Sequence, residues 1–187
     1  EAAPEVVETL DSPAVTTAAG VKTGVGVTSD PCPAEVGGVP TMADDSKGCI
    51  YLGMLNDYTG PYAAVAPALE TAQRGFWLWA NSTGGIGDYS VAIIEGADTS
   101  FNPQKHLEQY NAQRDQVAAL AMSLGTNQTL FILDEMDKDN MVAAPMSWYS
   151  GWSYKSLDRG LVVEFGAAYC ADGMNALDWA IASLPVD

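Results

Sequence analysis

Positive charge is the scarcest thing in this chain. Eight Lys and Arg stand against 24 Asp and Glu in 187 residues, for a net charge of −16. Only 17% of residues are charged, against a usual value of about 25%. The acidity therefore comes from missing cations as much as from added carboxylates. A field of that sign repels phosphate backbones and anionic lipids, which excludes nucleic acid as a partner. No apolar run approaches the ~20 residues of a membrane span. There is no C-x-x-C pair to begin a zinc ribbon. No P-loop and no G-x-G-x-x-G follows any predicted strand, so no nucleotide cofactor, and no other cofactor, is expected.

Catalytic constellations are equally sparse. Around Ser123 the residues Ala121-Met122-Ser123-Leu124-Gly125 fall one glycine short of G-x-S-x-G. A nucleophile elbow also needs a histidine late in the chain. The single histidine, His106, comes before the serine, on a segment that reads as a polar helix, so it is expected to be a solvated surface residue. The acidic run Asp134–Asn140 lacks the glycine and closing glutamate of an EF-hand and reads as a solvated helix end. With no acid–base pair in view, an enzyme is not expected.

What is present is a regular alternation. Residues 1–48 are rich in Ala, Val, Thr, Gly, Pro and acids and read as a tail or linker, while residues 49–187 read as one domain. A chain of this length can bury roughly 70% of its unfolded surface. Strands are predicted at Ile50–Leu55, Tyr89–Glu95, Val117–Met122, Met141–Ala144 and Leu161–Glu164. Helices are predicted at Ala63–Asn81, Pro103–Arg114, Asn127–Asp137 and Cys170–Ser183. Apolar strands alternating with helices imply a three-layer α/β/α fold around a mainly parallel, five-stranded sheet. Pro103 behind Asn102 suits a helix start with an Asn cap, Thr126 is a candidate cap, and Gly84-Gly85 suits a helix stop. Leu69, Ala72, Phe76 and Trp79 recur at helical spacing and read as core, leaving Trp77 to face the tail.

The chain begins at Glu1 without a signal-peptide pattern and reads as a mature or trimmed product. Cys32 and Cys49 flank the start of the first long strand; oxidised, they would staple tail to domain for about 3 kcal/mol. Cys170 is then left over, either as a small buried residue or as one half of a pair with a partner elsewhere.

In a parallel sheet, ligands bind beyond the carboxyl ends of the strands. The loops predicted there are Asn56–Tyr62, Ser123–Gln128 and Pro145–Ser150. They offer hydroxyls, amides, aromatic faces and helix N-termini, a set suited to a carboxylate or amide beside an apolar pocket.

Taken in order, the motifs resemble a known family. Thr59-Gly60-Pro61-Tyr62 follows the first strand. Asn81 with Gly84-Gly85-Ile86 closes the first helix, Asp98 with Asn102-Pro103-Gln104 opens the second, and Leu124-Gly125-Thr126 follows the third strand. From Ile50 to about Ser183 the chain resembles the N-terminal half of type I periplasmic substrate-binding proteins, in the branched-chain amino-acid branch that serves ABC importers. The resemblance implies that Thr126, Asn127, Ser147 and Trp148 hold a ligand head group and that Tyr62 walls the pocket. It implies an amino-acid-like or amide ligand, a permease partner, an extracytoplasmic location, and a second lobe that closes on the first. Val65 stands where several members carry a pocket tyrosine, and Phe101 and Gly125 stand near positions that carry a disulfide in some. An alternative reading of a single lobe is an assembly module, with the tail mediating self-association.

Overall fold

The computed structural model describes residues 24–164 and 166–184. Three two-residue strands, β1 (Val27–Thr28), β2 (Glu35–Val36) and β3 (Val39–Pro40), precede the long strand β4 (Gly48–Asn56). Then follow α1 (Ala66–Ser82), β5 (Tyr89–Ile93), β6 (Ala97–Asp98), α2 (Pro103–Gln113), β7 (Ala119–Ser123) and α3 (Thr126–Asp139). A short 3-10 turn at Ser150–Ser153, α4 (Lys155–Asp158) and α5 (Tyr169–Ser183) complete it.

The expected α/β architecture is present. β4 is the spine: β5, β6 and β7 all pair with it in parallel, and β1 pairs with it antiparallel. Leu52 of β4 opposes Ile93 of β5 and Ala119 of β7, so those strands lie on opposite sides. The predicted strands at Met141–Ala144 and Leu161–Glu164 shrink to single parallel bridges, Leu120 to Ala143 and Ala143 to Val162. They extend the sheet beyond β7, Ala143 next to Leu120 and Val162 beyond it.

β4 alternates its side chains between two cores. Met54 joins Ala66, Ile93, Met122 and Leu124 beneath α1, while Leu55 joins Tyr110, Val117, Leu120, Ile132 and Met136 beneath α2 and α3. The register slips between Gly53 and Met54 opposite β7. Gln113 covers the slip: its side-chain oxygen accepts from the Met54 N–H at 3.0 Å, and its amide donates to the carbonyls of Met54 and Glu95.

The helix limits follow local chemistry. The Asn102 side chain accepts from the N–H groups of Gln104 and Lys105, with Pro103 in the first turn, as expected. α1 ends where Gly84 and Gly85 take positive φ, and Gly85 N–H donates to Ala80 O. Two readings are corrected. Thr126 is the first residue of α3, not its cap; the cap position is Gly125, which has no side chain to offer. On α1, Phe76 and Trp79 are 53% and 59% exposed, and Trp77 packs into the core with Leu69. α1 is apolar on two helical stripes, and the stripe through Ala66, Leu69, Gln73, Trp77 and Asn81 faces inward.

Residues 24–47, from the segment read as tail, carry β1, β2 and β3, and Cys32 is disulfide-bonded to Cys49. The rest of that segment lies outside the described residues. Both cysteines are buried against Ala92, and Cys170 is exposed and free. The bridge spans 17 residues, so reduction is expected to lower stability by about 3 kcal/mol. Urea unfolding with and without reductant checks this; an unchanged midpoint contradicts it.

Two surfaces remain apolar. On the α1 face, no helix of the described residues lies over the far half of the sheet, and an open groove of about 560 Å³ there is lined by Leu52, Phe76, Trp77, Ala121, Met146 and Val163 among others. α5 buries none of its residues, and Met174, Leu177, Trp179 and Ile181 are each about 60% exposed.

Candidate functional site

The chain passes from β4 to β5 on one side and returns to β7 on the other, so the strand order reverses at β4. A crevice opens beyond the carboxyl ends of the strands at such a switch point. Here it is a cavity of about 280 Å³ lined by residues that include Tyr62, Phe101, Gly125, Thr126, Ser147, Trp148 and Tyr169. Val65, Leu69, Leu124 and Met146 complete the lining.

Each wall has a structural cause. The turn after β4 winds around Asp57, whose carboxylate accepts from Gly60 N–H (2.6 Å) and Tyr62 N–H (2.8 Å). That fixes Tyr62 against Phe101, ring centroids 4.5 Å apart. The turn that carries Phe101 is held by Asp98, which accepts from Tyr58 N–H, Thr59 Oγ1, Ser100 N–H and Lys105 Nζ. Partial burial pushes the Asp98 carboxyl upward, but hydrogen bonds from Lys105, Thr59, Tyr58 and Ser100 outweigh it and hold the group well below the usual carboxylate range. Ser100 and Phe101 have φ of 48° and 53°, and Met146 has 44°. Such left-handed L-residues cost of order 1 kcal/mol each, and two of these three line the cavity.

At the centre stands the N-terminus of α3. No side chain caps it, so the first N–H groups, at Thr126, Asn127 and Gln128, have no intrahelical partner. Gly125 has φ +107°, and a Cβ there would meet Phe101 at 2.6 Å and the Gln128 side-chain oxygen at 2.3 Å. Only glycine allows this approach. That Gln128 oxygen is buried without a partner, while its amide nitrogen donates to Phe101 O. On the far side, Ser147 is 4% exposed and its oxygen accepts from Trp152 Nε1 at 2.9 Å. Trp148 is 5.9 Å from Tyr169, and Tyr169 N–H donates to Trp148 O.

Of the residues expected from the sequence, Tyr62, Thr126, Ser147 and Trp148 meet in one cavity. The exposed Asn127 side chain is not among the lining residues. Phe101 and Tyr169 are walls that the sequence reading missed as such. The signal for Phe101 was its place inside the Asp98–Pro103 motif; Tyr169 carried none.

His106 overturns its sequence reading. It is fully buried on the inner face of α2, in a stripe with Tyr110 and Gln113. Its Nε2 lies 2.9 Å from Ser123 Oγ, which lies 2.7 Å from Thr129 Oγ1, and Thr129 donates to Ser123 O. The three side chains and the Ser123 carbonyl thus form one buried polar chain linking α2, β7 and α3. Ser123 and His106 are both fully buried, which keeps the pair out of contact with the cavity and with solvent. Nδ1 is left bare without a partner. Burial pulls the His106 pKa down to about 4. The acidic run is also explained: Arg159 pairs with Asp134 and Asp137, and Arg114 with Glu135 and Asp139. Among the described residues no cluster of His, Cys, Asp and Glu could hold a metal ion.

No family model matches this sequence, and no curated protein does. Solved structures match. A fatty acid ABC transporter substrate-binding protein from Thermomonospora curvata superposes with TM-score 0.64 at 23% identity, over 84% of this chain and 36% of that one. The chain folds as one lobe of a type I substrate-binding protein. A substrate-binding protein from Aeropyrum pernix gives 0.63 at 22% identity, over 73% of this chain and 35% of that one. A branched-chain amino acid ABC transporter protein from Thermus thermophilus with bound valine gives 0.64 at 13% identity, over 74% and 36%. The lobe thus spans about a third of the length of the structures it matches. In it, the cavity lies on the side of the sheet where the strands end.

Proposed function

We propose that this chain is the ligand-capturing lobe of a solute receptor that serves an ABC importer. The observation that carries the reading is the cavity at the strand ends, where the uncapped α3 terminus, the Thr126 and Ser147 hydroxyls and four aromatic rings converge. The helix end favours negative charge, so the lobe takes a small solute with a carboxylate or amide head group, the class to which amino-acid-like ligands belong. The fatty acid and valine named for two of the solved relatives share a carboxylate. No bond is made or broken: the solute is held, a second lobe closes on its open side, and a permease receives it. The buried Cys32–Cys49 disulfide suits an oxidising, extracytoplasmic location, and no helix of the described residues is long and apolar enough to cross a membrane.

The test is saturable binding from a panel of small carboxylates and amides, followed by calorimetry. Val65 is 53% exposed on the cavity rim, so Val65→Trp should fill the cavity, abolish binding and leave the melting temperature within a few degrees. Binding that survives Val65→Trp refutes the site.

One observation favours a second reading, an assembly module. α5 presents Met174, Leu177 and Ile181 at helical spacing, each about 60% exposed among the described residues. On that reading the chain associates with rising concentration, and Leu177→Asp with Ile181→Asp makes it monomeric in sedimentation velocity. A wild-type chain that stays monomeric at high concentration removes it.

A further inference from the structure

We infer that His106 is a positioning residue for the solute site: acting through Ser123 and Thr129, it sets where the N-terminus of α3 points its free N–H groups. The inference rests on the solute-binding reading and adds to it a residue that the solute never touches.

The first support is that packing does not explain this histidine. Its side chain is fully buried on the inner face of α2. Its Nδ1 has no partner among the described residues, and a buried polar atom left bare is uncommon and costly. A leucine or methionine would fill the place without that cost. What the ring gains is the contact of its Nε2 with Ser123 Oγ at 2.9 Å.

The second support is what Ser123 and Thr129 enclose. The residues between them include Leu124, Gly125 and Thr126, which line the cavity. They also include Thr126, Asn127 and Gln128, whose N–H groups α3 leaves free. Two contacts close this bracket. Ser123 Oγ lies 2.7 Å from Thr129 Oγ1, and Thr129 Oγ1 donates to Ser123 O at 2.9 Å. His106, Ser123 and Thr129 are all fully buried, so water does not compete for these bonds.

The third support is that the start of α3 has no fastening of its own. A cap side chain would tie the first turn by accepting from its N–H groups, and so would consume the donors that a solute needs. Gly125 stands at the cap position and offers no such group. The turn is tied by side chains further along instead. Gln128 donates to Phe101 O at 2.6 Å, and Thr129 leads through Ser123 on β7 to His106 on α2. Binding groups must be held within about 0.5 Å of their working places, and this chain of hydrogen bonds joins the helix start to two neighbouring elements.

Calorimetry with L-leucine and 3-phenylpropionate as probes tests this on the wild type and four variants, each held below its melting temperature. His106→Leu and Thr129→Val should each weaken binding about tenfold. His106→Gln, which offers Ser123 a hydrogen bond of either sense, should stay within about twofold of the wild type. Asn81→Leu is the control for lost stability alone. Asn81 does not line the cavity, so this variant should also stay within about twofold. Thr129→Val carries the test should His106→Leu not fold. If His106→Leu or, in its place, Thr129→Val binds like the wild type, the inference falls and the solute-binding reading stands. It falls too if Asn81→Leu weakens binding as much, which would show a general effect of stability, or if His106→Gln does, which would show that the bond to Ser123 is not what matters. If neither probe binds the wild type at about 10 mM, the inference falls; whether the reading falls with it is decided by the wider panel and Val65→Trp.

Discussion

Replacing Asn81 with leucine is expected to lower the stability of the fold by about 3–5 kcal/mol, a drop of roughly 10 °C in melting temperature. Asn81 is 5% exposed near the end of α1. Its Nδ2 donates to Thr41 O at 2.7 Å and to Val91 O at 2.8 Å, and its Oδ1 accepts from Val91 N–H at 2.9 Å. One side chain thus ties together α1, β5 and the segment before β4. Leucine fits the volume but leaves three buried backbone groups without partners, and each such loss costs about 1–3 kcal/mol. Asn81→Asp should be little better, because it keeps the acceptor and sets an anion against two carbonyls. None of these residues lines the cavity, so ligand affinity measured well below the melting point should be unchanged. A stability loss under about 1 kcal/mol in urea denaturation contradicts this account.

The second large effect is acid destabilisation through His106. In the fold its pKa is pulled down to about 4 by burial; unfolded, it returns to about 6.5. Between those values the unfolded chain binds a proton that the folded chain refuses, so stability falls as pH drops from about 6.5 to about 4. Over that window the loss is about 3 kcal/mol. Asp98 acts in a separate window. Its folded pKa lies below the usual carboxylate range, so its contribution is present above about pH 4 and lost only below that. His106→Gln separates the two, since glutamine can still donate to Ser123 but does not titrate. Urea midpoints for His106→Gln should be nearly flat from pH 6.5 to 4.5 while the wild type declines. Parallel slopes would show that His106 is not the titrating group.

The same residue shows what the sequence hides. Helix periodicity was sought in apolar side chains, and the inner face of α2 is His106, Tyr110 and Gln113, each buried with a specific partner. A polar stripe looks solvated until its partners are known, and they lie on other elements: Ser123 on β7, Asp139 at the end of α3, Met54 at the slip in β4. Phe76 and Trp79 failed for the opposite reason, because α1 is apolar on two stripes and composition does not say which faces the sheet.

Three strands and two helix limits were legible because their signals are local. Asn102-Pro103 is a helix start in two residues, and Gly84-Gly85 a helix stop in two. A parallel sheet sends its loops to one end, which grouped the loops at 56–62, 123–128 and 145–150 before any distance was known; the resemblance implied Tyr62, Thr126, Asn127, Ser147 and Trp148 within them, and all but Asn127 line the cavity. Its finer walls were not legible. Phe101 is placed by the Asp98 hydrogen bonds to its neighbour Ser100 and by a left-handed backbone, and Tyr169 by where α5 begins.

Chemical-shift mapping tests the central claim most directly, with the amides of the labelled chain followed as a small carboxylate is titrated in. The account expects saturable shifts concentrated at Gly125, Thr126, Asn127 and the Trp148 indole, with little change along the groove over Leu52, Ala121 and Val163. Shifts centred on that groove, or none at all with a panel of carboxylates and amides, would contradict it.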